Sequence, residues 1–220
     1  TPAQIASIET ANLVNFSTAT IAGLTTSQVV SLTTDQIAAL TTTQIRAMET
    51  ADVAALTTVQ IVALTTSQAA YLTSAQIANM TTAQVAAMEV ADLAKLTTSA
   101  IVSLTTAQVA GMSTDQVSAL TSSQIRAMET ADAKALTTDQ VVALTTAQFA
   151  ALTSTQVASM TPAQIAVMET ADLAKLSTSV VAGLTTTQIG ALTTEQIAAL
   201  STSQAFALTS AQVAAMSTTQ

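Results

Sequence analysis

Large apolar side chains recur in this chain at two positions in every eight. In the stretch LTTDQIAALTTTQIRAMETADVAAL (residues 32–56) each octad carries Thr-Thr, a variable residue, Gln, a β-branched apolar residue, two small residues and then Leu or Met. With octad positions labelled a to h from Thr1, the large apolar residues sit at e and h, and twenty-seven complete octads follow without insertion or deletion. Position a is Thr or Ser except at Glu9, Glu49, Glu89, Glu129 and Glu169. One continuous helix does not fit this period: eight residues at 100° each would let the e/h stripe drift by about 80° per octad. A β-solenoid does not fit either, since e and h would face opposite sides of a strand and alanine at f and g favours helix.

The pattern instead predicts a short helix restarting in every octad. The hydroxyl at a is the N-cap and Gln at d is N3, which makes T-x-x-Q a capping box. The preceding h is then N′ and e is N4, the two ends of a hydrophobic staple. Pro2 and Pro162 both fall at b, the first helical position. Asp35, Asp115, Asp139 and Glu195 fall at c, in the first turn. The fold expected is all-α: a solenoid of short N-capped helices with an apolar interior, spanning residues 1–220 as one repeat domain. Gln at d is expected to serve the capping box and hydrogen bonds between coils. The chain starts on an octad boundary and stops four residues into another octad, so a piece of a longer array is expected.

The size of the coil is read from the exceptional octads. Glu9, Glu49, Glu89, Glu129 and Glu169 recur in every fifth octad. Five octads per coil would align them in one column, with a perimeter of about 50 Å and a radius of about 8 Å. A weaker period of ten octads relates Arg46 to Arg126 and Lys95 to Lys175. The same spacing separates Thr20, Ala100 and Val180, where Gln at d is lost. Glu is a weak N-cap, so the helix is expected to run through these octads, with Arg46–Glu49, Arg126–Glu129, Asp92–Lys95 and Asp172–Lys175 as i,i+3 ion pairs on a solvated face. The alternative is a cation column of Glu49, Asp52, Glu89, Asp92, Glu129, Asp132, Glu169 and Asp172 holding Ca²⁺ with waters. Against it stand the missing Gly-rich loop and the adjacent basic residues; no metal site or cofactor is assigned.

Composition narrows the function. Charged residues are 8% and aromatics 2%, and the net charge is −8 with five basic residues. Nucleic acid is not expected as a partner, because the basic patch it requires is absent. No apolar run is long enough for membrane insertion. With no His and no Cys, the commonest general base and the thiol nucleophile are missing, and the remaining Ser and carboxylates sit in equivalent repeated environments; no enzyme is expected. Tyr71, Phe149 and Phe206 are isolated and are expected to fill local gaps, with Phe206, at the octad position of Arg46 and Arg126, a contact point in the alternative.

The strings ALTTAQ (residues 143–148), LTTDQIAAL (32–40) and METADLAKL (168–176) resemble the T-T-x-Q-[IV]-x-A-L octapeptide arrays of very large, repetitive exported proteins of proteobacteria, often labelled adhesin-like or haemolysin-type. The resemblance covers the whole chain. It implies a surface or secreted spacer, filament or adhesin segment, located outside the cell. The Gly/Asp-rich nonapeptide of haemolysin-type calcium repeats is absent, so calcium binding does not carry over. The expected role is a structural stalk, spacer or self-associating filament, associating end to end or laterally through the open ends of the coil. The alternative is a binding module recognising glycan, protein or, through its Thr-rich face, ice.

Overall fold

The computed structural model describes residues 1–220, and every octad forms one helix of four to six residues, from α1 (Pro2–Ala6) to α27 (Ser210–Ala214). The expected frame holds at each restart. In α5 (Thr34–Ala39), Gln36 N–H donates to Thr33 Oγ1 at 3.2 Å and Thr33 N–H donates to Gln36 Oε1 at 2.8 Å. This reciprocal pair removes two of the unsatisfied amide donors at a helix start. Pro2 and Pro162 occupy the first helical positions, as expected.

The bend between octads is made without a left-handed residue. Leu40, at h, has φ −56° and ψ 139°, and Thr41, the next cap, has φ −70° and ψ 157°. No residue has a positive φ. Two successive extended residues turn the chain, which any side chain tolerates. That is why an array with twenty-seven helices needs only four glycines. The same bend occurs at the Glu octads: Met48 ends one helix at φ −58°, ψ 140°, and Glu49 begins the next at φ −66°, ψ 153°. The helix therefore does not run through Glu49, and the i,i+3 geometry expected for Arg46–Glu49 is lost. At Glu49 the side chain makes no capping hydrogen bond.

The helices form two compact units, Thr1–Met112 and Ser113–Gln220. In the first, each helix packs on the third one along: α1 on α4 (Thr26–Val30), α4 on α7 (Thr50–Ala55), and α7 on α10 (Ser74–Asn79). Residues e and h point inward; Ile37, Val53, Ile61 and Ile77 are fully buried and their h partners nearly so. The second unit repeats the arrangement, with α15 (Thr114–Ala119) on α18 (Thr138–Ala143), α18 on α21 (Pro162–Ala166), and a core that includes Val117, Val141, Phe149 and Ile189.

Glutamine at d joins successive coils. In the first unit Gln60 Nε2 donates to the carbonyls of Val29 (3.1 Å), Val30 (3.2 Å) and Leu32 (2.8 Å). In the second, Gln148 Nε2 donates to Val117 (2.9 Å) and Leu120 (2.6 Å). These are carbonyls at the C-terminal end of the helix four octads earlier; Val29 and Val117 also accept from the amides of Leu32 (3.1 Å) and Leu120 (3.2 Å), whereas Val30, Leu32 and Leu120 take their hydrogen bond from the glutamine alone. One buried amide thus caps the start of its own helix and the end of another.

This register corrects the size of the coil. Packing on the third octad and hydrogen bonding to the fourth set the turn between three and four octads, not at the five expected from the Glu spacing. Five helical edges would hold the backbone about 8 Å from the axis, whereas three to four hold it at about 6 Å. At the smaller radius the Ile and Leu side chains meet at the centre, as close packing requires. The five-octad period is a period of the sequence alone. No helix is long and apolar enough to cross a membrane.

Candidate functional site

Because five octads are more than one coil, the Glu-containing octads do not stack, and the cation column built on that spacing falls with it. Within each octad the two acids part company. Glu49, Glu89, Glu129 and Glu169 are exposed, whereas Asp52, Asp92, Asp132 and Asp172 are buried, between 1% and 4% exposed. No three carboxylates gather into a group able to hold a metal ion.

The aspartates stand where other octads have Gln. A carboxylate reproduces half of the glutamine's work: Glu129 N–H donates to Asp132 Oδ2 at 3.3 Å. It has no amide to give to the carbonyls of the coil beneath, and an ionised carboxylate only accepts. Asp52 Oδ2 and both oxygens of Asp92 are buried without a hydrogen-bond partner. Burial accordingly raises the pKa of each. For Asp52 the charge of Glu49 adds to the rise and the Glu49 amide opposes it. For Asp92 burial is opposed by the nearby Thr66 hydroxyl, which stands outside hydrogen-bonding geometry, and reinforced by Glu89. Asp132 is pushed up to about 6, by burial first, against the Glu129 amide and with the Glu129 charge. A proton turns such a carboxyl into the donor that the position lacks.

A different kind of site lies where Gln at d is lost altogether. Ala100 occupies that position in the octad 97–104, and the carbonyls that a glutamine there would bind belong to Ala69, Ala70 and Leu72. A groove of about 640 Å³ opens at this point, with Arg46, Tyr71, Thr73, Ser74, Lys95 and Thr97 among its walls. Ser74 Oγ donates to Ser99 O at 2.9 Å and ties two coils together beside it. Tyr71 is 49% exposed and forms a ridge; on its other side Thr66, Ser67 and again Lys95 line a smaller hollow of about 260 Å³. Arg46, Tyr71 and Lys95 lie in octads that follow one another at intervals of three, the spacing of neighbouring coils. In the second unit, Val180 replaces Gln and a groove of about 320 Å³ forms between Arg126, Thr153, Ser154, Ser177 and Ser179. There Ala151 stands at the counterpart of Tyr71.

The sequence carried the signals for these grooves, namely the lost glutamines and the basic residues at the same ten-octad spacing. What joins them is the coil register, which the sequence period conceals. Of the isolated aromatics only Phe149 fills the core; Phe206 is 86% exposed.

The ALTTAQ repeat, as a family model, matches residues 5–42, 45–82, 85–122, 125–162 and 165–202. The chain belongs to the ALTTAQ repeat family. Successive matches start five octads apart, so the family unit is five octads while the coil of this ALTTAQ repeat chain closes in fewer than four. No curated protein matches the chain.

Proposed function

We propose that this ALTTAQ repeat chain is a structural segment of an extracellular protein, serving as a stalk, spacer or self-associating filament, with no catalytic activity. The observation that carries this reading is the glutamine ladder. The buried polar side chain of most octads is consumed in joining one coil to the next, and the first threonine of most octads has its hydroxyl turned onto its own helix. Such octads are interchangeable, so length can be set by number alone. A surface of Thr, Ser and Ala with few charges suits a segment that holds a distance.

Chains carrying three, five and seven of the five-octad family units test this by small-angle scattering. An equal increment in maximum dimension per added unit is expected, with end-to-end fibres in electron micrographs at high concentration if the segment also self-associates. A dimension that stays constant as units are added would refute the spacer role. The groove around Arg46 is the one observation that favours a second reading, an adhesin-type binding module.

A further inference from the structure

We propose that the groove between Arg46, Tyr71 and Lys95 binds an acidic saccharide, a sugar bearing a carboxylate or sulfate. The proposal does not depend on the spacer role and would survive its failure.

The chain has only five basic residues, yet two of them, from octads six places apart, line this one groove, together with the only tyrosine. Arg46 and Lys95 are exposed and point to an anion: a guanidinium presents a planar fork to a carboxylate or sulfate, and an ammonium adds a point charge. The remaining wall suits a polyol. Thr73 and Thr97, whose hydroxyl oxygens accept from the amides of Gln76 and Ala100, keep a hydroxyl proton to donate, and Ser74, which donates to Ser99 O, can still accept. The carbonyls of Ala70 and Leu72 lie at the groove and go unclaimed by Ala100, whose methyl group has nothing to donate. In the neighbouring octad Gln108 takes the carbonyls of Ile77 and Met80, the counterparts of Ala69 and Leu72, at 2.9 and 2.7 Å. Carbonyls left without that amide accept from sugar hydroxyls. Tyr71, half exposed, offers an apolar face with a polar tip. Cationic donors, free backbone acceptors, hydroxyls and an aromatic ridge in one cleft describe a sugar acid better than an acidic peptide, which has fewer hydroxyls to satisfy the carbonyls. The second unit's groove has the arginine and hydroxyls but no aromatic ridge, and Lys175 does not line it. Only the first groove therefore carries the site.

Titration calorimetry of the full chain with trigalacturonate, a sulfated galactose trisaccharide, neutral trigalactose and a pentaglutamate peptide tests the assignment. Saturable binding of one or both charged saccharides is expected, weakening as salt rises, and the two arms tell carboxylate from sulfate. Arg46→Gln and Lys95→Gln should each weaken binding about tenfold, Tyr71→Ala should weaken it, and Arg126→Gln should leave it unchanged. All four positions are exposed, and a helical circular dichroism spectrum confirms that each variant folds. No binding by either charged saccharide, equal binding of neutral trigalactose, binding of pentaglutamate as tight as the saccharides, or indifference to Arg46→Gln and Lys95→Gln would each overturn the proposal.

Discussion

A single position, d, shows how one atom type decides the behaviour of an octad. Gln both accepts and donates there; Asp can do both only when protonated; Ala and Val do neither. The aspartates consequently make stability depend on pH in an unusual direction. The Asp132 carboxyl titrates near 6 in the folded chain, above its ordinary value of 3.8, so the folded state binds more protons between these values. Its contribution is present in full below about 3.8 and is lost as pH rises through 6; it amounts to on the order of 3 kcal/mol at most, and less once solvent screening is counted. Urea unfolding should therefore show the chain more stable at pH 4.5 than at pH 7.5, and Asp132→Asn should flatten that difference. A chain whose stability instead rises with pH over this window would show that the carboxyl is ionised and paired. Asp92→Asn should also stabilise the chain at pH 7.5, since it removes a buried carboxylate whose two oxygens have no hydrogen-bond partner. The reverse change is costly: Gln60→Ala strands the carbonyls of Val30 and Leu32 and should destabilise the first unit by roughly 2–4 kcal/mol, read as a lower urea midpoint.

At the scale of the element, the helix start is the most constrained feature and the first helical residue the least. The amide of b has no partner within its helix, and proline already stands there at Pro2 and Pro162. Thr58→Pro should leave the melting temperature within a degree or two, whereas Ile61→Pro should abolish folding around that octad. Proline at 61 deletes the Ile61 N–H to Thr57 O bond of 2.9 Å and removes a fully buried side chain. Hydrogen exchange localises the difference. Capping box, staple and proline placement are local, involving residues within four positions of each other, and for that reason each was legible from the chain alone. The bend at the Glu octads was not. Glu is a poor cap, but Met48 and Glu49 extend all the same, because continuing the helix would carry Val53 and Leu56 out of the core.

For the whole molecule, the octad is the unit of addition. Deleting one complete octad, residues 57–64, leaves every remaining octad with a neighbour three places along and a glutamine, or its replacement, four places along. Helical content per residue and cooperative unfolding should survive. Deleting only residues 57–60 puts Thr, rather than Ile, against the axis and should lose protection of the surrounding amides in hydrogen exchange. Equal tolerance of both deletions would contradict the coil register.

Outside the five Glu octads, the helix boundaries, their inward and outward faces and the capping role of threonine and glutamine were determined by the sequence itself, because each follows from sterics and hydrogen bonds within a dozen residues. The number of octads per turn was decided only in three dimensions. It depends on how far inward Ile, Leu and Met must reach to fill the axis, a packing condition among residues three to four octads apart that leaves no mark on a strictly repeated octad. The five-octad period records a different property, the unit shared with the family. The groove follows the same division: its arginine, lysine and lost glutamine are plain in the chain, and their meeting beside Tyr71 is a consequence of the coil.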